Sequence, residues 1–156
     1  MASTANHPRV LLVEPDSTWR AVLIAAAPSW AHVDCPDRFE AARVCLDQRR
    51  YNVIVANRRL GAYNGLHLAY VARFADAADH TIVYDEHPDL GLARETHRAG
   101  ALYELRHRLP ITLPAYVGVG LPATDRRDPV WRDRRAIPRG GRRRWDRHIL
   151  VAGAPP

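Results

Sequence analysis

The sequence contains no lysine; all 23 of its basic residues are arginine. Chemistry that depends on a lysine amine, such as Schiff-base catalysis, is therefore excluded. Cysteine is scarce: Cys35 and Cys45 form no CxxC pair, and they read as reduced thiols rather than as a disulfide or zinc ligands. No apolar run approaches the roughly 18 residues that a membrane span requires. Residues 1–8 are polar and show no basic stretch ahead of an apolar one, so no secretion signal is read and a cytoplasmic location is expected. The P-loop, the nucleophile elbow and the HExxH pattern are all missing, which argues against an enzyme.

What is present is enough apolar material for one packed domain: 47% of the 156 residues are hydrophobic. Charge is divided unevenly along the chain. Residues 1–122 carry 13 arginines and 13 acidic residues, a net charge of zero. Residues 123–156 carry 10 arginines and 4 aspartates, so the whole excess of +6 lies there. Pro122, Pro129 and Pro138 punctuate this stretch. The division predicts a disordered start over residues 1–8, a domain over 9–121 and a mostly irregular arginine-rich tail over 122–156.

Within the domain, short β-like runs alternate with helical patterns. Residues 9–13, 32–35, 53–56, 81–84 and 102–105 read as five strands, the first and third being the continuous apolar runs of strands buried on both faces. Asp16 and Ser17 are placed to cap a helix running to about Ala27, and Asp37 to cap one ending near Gln48. A loop with Gly61 and Asn64-Gly65 precedes a helix over about 66–75. Asp89 opens another that ends near Gly100, and a last, weaker helix is read over 113–121. Strands alternating with helices imply an α/β fold, a doubly wound parallel sheet that binds ligands at the carboxyl ends of its strands. Those ends fall at Glu14 to Asp16, Asn57 to Arg59 and Asp85 to His87.

Three segments carry a family resemblance. The run Val10-Leu11-Leu12-Val13-Glu14-Pro15-Asp16 resembles the first strand and acidic cluster of response-regulator receiver domains. Val53-Ile54-Val55-Ala56-Asn57, followed by Arg58-Arg59-Leu60-Gly61-Ala62-Tyr63-Asn64-Gly65-Leu66, resembles their third strand and its loop. Arg98-Ala99-Gly100-Ala101 is similar to the Ala-Gly-Ala ahead of their fifth strand. The likeness spans about residues 8–121 and implies a flavodoxin-like, five-stranded sheet of order 2-1-3-4-5.

It also implies a pocket whose chemistry is broken. In the family an acidic pair and an acceptor aspartate hold magnesium, and the aspartate takes a phosphoryl group from a histidine kinase. A Ser/Thr and a Lys then contact the phosphate. Here the acidic pair falls on Glu14 and Pro15, with Asp16 next door, and the acceptor position falls on Asn57. The Ser/Thr position falls on Asp85. The Lys position falls on His107, or on Arg106 with a one-residue shift; the switch aromatic falls on Glu104, or on Tyr103 with the same shift. An amide is a poor nucleophile and carries no charge, so phosphotransfer by the family route is not expected. No cofactor is expected, although weak magnesium binding at Glu14 and Asp16 is left open.

The leading expectation is a phosphorylation-independent signalling or interaction module of a two-component pathway, a pseudo-receiver with a protein partner or a second copy. Arg94, Arg98, Tyr103, Glu104, Arg106 and Arg108 would lie near its partner face. The alternative is unspecific binding of nucleic acid or another polyanion by the tail, through Arg126, Arg127, Arg132, Arg134, Arg135, Arg139, Arg142, Arg143 and Arg144. Trp131 and Trp145 would stack on bases. The stretch Arg134-Arg135-Ala136-Ile137-Pro138-Arg139 is similar to the entry motif of PilZ domains, but no barrel or second motif follows it. Asp85, Glu86 and His87 read as solvated strand-end residues rather than a metal cluster. His80 and His97 read as surface residues, and Trp19 and Trp30 as packing residues.

Overall fold

The apolar runs at 10–13, 53–56 and 81–84 become strands, and helices fill the stretches between them. The computed structural model describes residues 7–119. In chain order the elements are β1 (Arg9–Val13), α1 (Ser17–Ala26), β2 (His32–Asp34), α2 (Phe39–Gln48) and β3 (Tyr51–Asn57). A small hairpin follows, β4 (Arg59–Leu60) and β5 (Tyr63–Asn64), and then α3 (Gly65–Phe74), β6 (Ala78–Asp85) and α4 (Leu90–Arg98). The described chain closes with β7 (Leu102–Leu105), a 3-10 turn (Arg106–Arg108) and α5 (Leu109–Gly118). The main sheet is five-stranded, in the order β2-β1-β3-β6-β7, and every pairing in it is parallel. Counting only its own strands, that is the expected 2-1-3-4-5.

The period-two alternation of the strands divides the core between the two faces of the sheet. Leu11, Val13, Ile54 and Ala56 pack with Phe39, Ala42 and Leu46 of α2 and with Leu68 and Ala72 of α3. Val10, Leu12, Val53, Val55, Ile82 and Tyr84 pack with Leu23 of α1 and with Leu109, Leu113 and Val117 of α5. α4 rests on a smaller cluster of Ala69, Val83, Ala99 and Ala101.

Local signals explain most of the element ends. Asp16 caps α1, its carboxylate accepting from the backbone N–H of Thr18 and Trp19. Asn64 and His67 form a reciprocal capping box at the start of α3. Asp89 caps α4, which ends at Arg98; Gly100, at φ +77°, follows the cap residue Ala99 and turns the chain out of the helix.

Some boundaries differ from the sequence reading. The cap position of α2 is Arg38, with no side-chain hydrogen bond, so Asp37 does not cap it. α5 begins at Leu109 rather than 113, because Pro110 suits a first helical turn; Pro114 then lies inside the helix. β3 and β6 each extend beyond the apolar runs that announce them. The hairpin β4–β5 was not anticipated; Gly61, at φ +71°, makes its turn. Trp19 is partly buried on the α5 side, whereas Trp30 is 45% exposed. No helix among the described residues is long and apolar enough to cross a membrane.

Candidate functional site

β1 and β3 are neighbours in the sheet, but their following crossovers lead to opposite edges. Their carboxyl ends therefore border the crevice where an open α/β sheet presents its site. Glu14 emerges from β1 and Asn57 ends β3. β6 brings Tyr84 and Asp85 alongside, and β7 leads into Arg106.

Glu14 is fully buried. Its carboxylate accepts from the Asn57 amide Nδ2 at 2.9 and 3.1 Å, from the backbone N–H of Asp16 at 2.8 Å, and from the Tyr84 hydroxyl. The other end of the Asn57 amide, Oδ1, accepts from the backbone N–H of Arg59 at 2.9 Å. The amide orientation follows from these partners: reversed, its oxygen would face a carboxylate and its NH₂ a backbone donor. Burial and the adjacent Glu14 carboxylate push the Tyr84 hydroxyl well above its usual pKa, so it remains a donor.

Above this buried layer lies an ionic one. Arg106 Nη2 donates to Asp16 at 2.7 Å, and Arg106 Nη1 pairs with Glu86. The guanidinium also sits 4.7 Å from the centre of the Trp19 ring. The Asp16 carboxyl is held below its usual pKa by the Trp19 backbone N–H first and by Arg106 next. Arg106 therefore occupies the basic position of the pocket, and His107 is exposed on the 3-10 turn. Pro15 is exposed and supplies no ligand atom.

Asp85 is 7% exposed rather than solvated. It accepts from Arg58 Nη1 at 2.6 Å and from the backbone N–H of Glu86 at 2.8 Å. Arg58 also reaches Asp89 at 3.4 Å. Glu86 and His87 are exposed. Asn57, Arg58, Asp85 and the segment Glu86 to Leu90 line a cleft of about 460 Å³.

A magnesium ion takes acceptor oxygens and keeps most of its water. One acidic group is buried under three different donors, the second is paired with a guanidinium, and the amide turns its NH₂ toward the first. These residues do not fit magnesium. Among the described residues, no group of three or more His, Cys, Asp or Glu is placed to hold a metal.

The residues expected near a partner face separate into two kinds. Arg98 is exposed and ion-paired with Glu95, and Arg108 is exposed. Glu104 is instead 6% exposed, accepting from the Tyr116 hydroxyl at 2.9 Å, so it presents nothing to a partner. Tyr103 is half-buried, its hydroxyl donating to the His87 carbonyl and accepting from the Asp89 backbone N–H. Arg94 is exposed on α4. The tail arginines all lie outside the described residues.

Arg58 lies within the strand end marked out by the sequence, but no local pattern announces two other contributors: Tyr84, and Arg20, whose guanidinium donates to the Glu14 carbonyl at 2.9 Å. Tyr84 looked like one more apolar strand residue. Its neighbour Asp85 was the only hint that the strand end was polar.

No family model matches the sequence, and neither does any curated protein. Solved structures do. The receiver domain of the Francisella response regulator 1452 superposes with a TM-score of 0.66 at 16% identity, covering 72% of this chain and 95% of that one. The signal receiver domain of the response regulator NarL from Mycobacterium tuberculosis gives 0.63 at 16%, covering 71% and 93%. The Vibrio cholerae chemotaxis protein CheY4 gives 0.63 at 16%, covering 74% and 99%. With the strand order and the pocket at the ends of β1, β3 and β6, these likenesses establish that the described chain has the receiver-domain fold.

Proposed function

We propose that this protein is a signalling or interaction module that works without phosphorylation of its receiver pocket. The observation that carries the reading is the Asn57–Glu14 pair. At the end of β3, where phosphoryl transfer calls for a nucleophilic carboxylate, the side chain is an amide already committed at both ends. The ionic layer supports the same reading. Arg106 neutralises Asp16 and Glu86 from within, the role that a metal cation would otherwise fill. Asp85 would repel a phosphoryl group rather than donate to it. What remains is a folded scaffold whose surfaces can engage a protein partner.

The test is incubation with acetyl phosphate and magnesium followed by intact-mass measurement, with a phosphorylatable receiver as positive control and Asn57→Asp alongside. No added phosphate on the wild-type chain is expected. A labile adduct on the wild type overturns the reading and makes Asp16 or Asp85 the first acceptor to examine.

A further inference from the structure

We infer that the cleft lined by Asn57 to Arg59 and by Asp85 to Leu90 binds a small zwitterion, a free α-amino acid with an apolar side chain. Its volume of about 460 Å³ falls within the roughly 300–1,000 Å³ of ordinary small-molecule pockets. The lining comes from the carboxyl ends of β3 and β6 and the segments that follow them, where a doubly wound sheet presents its ligands.

Most of the charge in this lining is already answered within the protein. Arg58 Nη1 holds Asp85 at 2.6 Å, and Glu86 is paired with Arg106. Two groups of opposite sign are left. The Arg59 side chain is exposed and forms no hydrogen bond or ion pair among the described residues. The Asp89 carboxylate is half used: Oδ1 accepts from the Leu92 backbone N–H at 2.9 Å, whereas the nearest cation to Oδ2 is Arg58 Nη1, 3.4 Å away and committed to Asp85. A charge-assisted hydrogen bond runs at about 2.7–2.9 Å, so Oδ2 still lacks a close donor. Arg59 and Asp89 line one cleft yet do not pair with each other. The first is fixed by the β4–β5 hairpin and the second by its cap on α4.

The third feature is apolar. Leu90, the first residue of α4, lies in the same lining beside Pro88 and is 76% exposed. Together the three features select the ligand. An organic anion alone would answer Arg59 but bring its charge to a lining that holds Asp85, Glu86 and Asp89, and a phosphorylated one would bring two. A cation alone would leave Arg59 unanswered. A zwitterion supplies a carboxylate for Arg59 and an ammonium donor for Asp89, and an apolar side chain covers Leu90. The inference deepens the reading of a phosphorylation-independent module and rests on it, since ligand binding would supply the input that phosphorylation does not.

The experiment is an NMR shift titration of the full chain with L-leucine as the probe. N-acetyl-L-leucine keeps the carboxylate without the ammonium, L-leucinamide the ammonium without the carboxylate, and glycine both charges without the side chain. The two blocked forms also stand in for the ends of a peptide. Arg59→Gln and Asp89→Asn are the test variants; asparagine caps a helix about as well as aspartate, so α4 is preserved. Arg43→Gln, which removes an exposed arginine from α2, is the control. Circular dichroism confirms that each variant is folded. Saturable binding of L-leucine is expected, with the Arg59 and Leu90 amides among those that shift. Affinity should fall about tenfold or more with either blocked form, with glycine and with either test variant, and stay unchanged in the control. No binding by about 10 mM overturns the inference. So does binding that either blocked form reproduces, or that both test variants leave untouched. Intact mass after acetyl phosphate, measured on the same protein, reads the phosphorylation-independent reading separately: an adduct there sinks that reading, whereas a failure of leucine to bind leaves it standing.

Discussion

The amide nitrogen of Asn57 lies within hydrogen-bond distance of both carboxylate oxygens of Glu14, at 2.9 and 3.1 Å, across two adjacent strands and 43 positions of sequence. A buried carboxylate must find donors or a cation. Here the neighbouring strand supplies a neutral donor.

That relationship sets the consequence of restoring the aspartate. Asn57→Asp places a second carboxylate against Glu14 and removes a donor, a loss of about 1–3 kcal/mol at neutral pH. Like-charge repulsion raises the pair's proton affinity in the folded state above its unfolded value. The variant's deficit is therefore smallest at low pH, where the pair holds a proton, and grows as pH rises through the folded-state titration. Urea midpoints at pH 5 and pH 7.5 check this; an equal deficit at both would sink the electrostatic account.

Gly65 is constrained by backbone contact. A Cβ there would stand 2.6 Å from the Asn57 carbonyl oxygen, which is fixed by the strand. Gly65→Ala is expected to cost about 1–3 kcal/mol. Gly118 meets only the Trp30 ring at 3.6 Å, an ordinary contact. Gly118→Ala should be neutral or stabilising by up to about 1 kcal/mol through helix propensity. Comparing the two urea midpoints decides the matter; similar costs at both sites would refute it.

Arg106 holds Asp16 in its charged form together with the helix-cap N–H groups. In Arg106→Met the Asp16 pKa should rise toward the ordinary carboxylate range without fully reaching it, because the Thr18 and Trp19 donors remain. Since the folded-state pKa lies below the unfolded one, the stabilising contribution of Asp16 is present above the unfolded value and fades as pH falls through the folded one. In Arg106→Met that contribution is smaller and its loss is complete at a higher pH. Carboxyl-carbon NMR titration reads the shift directly, and an unmoved Asp16 would show that the ion pair contributes nothing.

At alkaline pH the sign reverses. Burial raises the Cys35 thiol from 9.0 to about 11, and the Tyr84 hydroxyl also moves up. The unfolded chain then loses protons first, so stability declines from about pH 9 upward. Cys35 should accordingly alkylate slowly at pH 8. Denaturation midpoints between pH 8 and pH 10.5 check the decline, and Tyr84→Phe should flatten part of it while leaving Glu14 short of one donor. A midpoint level across that range would contradict these shifts.

Much of the fold was legible because it is written in local patterns. The apolar runs at 10–13 and 53–56 announce buried strands, and Asp16 and Asp89 sit where caps belong. Asn57 at the end of β3 was legible too, since a strand end is fixed by its run. The exact start of α5 was not: Pro110 and Pro114 both suit a first turn, and only packing of Leu109 against the core chooses between them.

The sequence by itself determined which residues are available: an amide at the end of β3, one acidic group lost to Pro15, and no lysine anywhere. Local periodicity also determined the alternation that makes a doubly wound sheet. Only the tertiary structure decided how those residues meet. Tyr84 closes on Glu14 from 70 positions away, and Arg106 reaches Asp16 from 90. Whether Arg106 or His107 faces the pocket, and whether Glu104 faces solvent or Tyr116, depends on the course of β7 and the 3-10 turn. In a strand, a slip of one residue turns every side chain to the opposite face. Such contacts are set by register and packing between distant segments, for which no local pattern in the chain carries a signal.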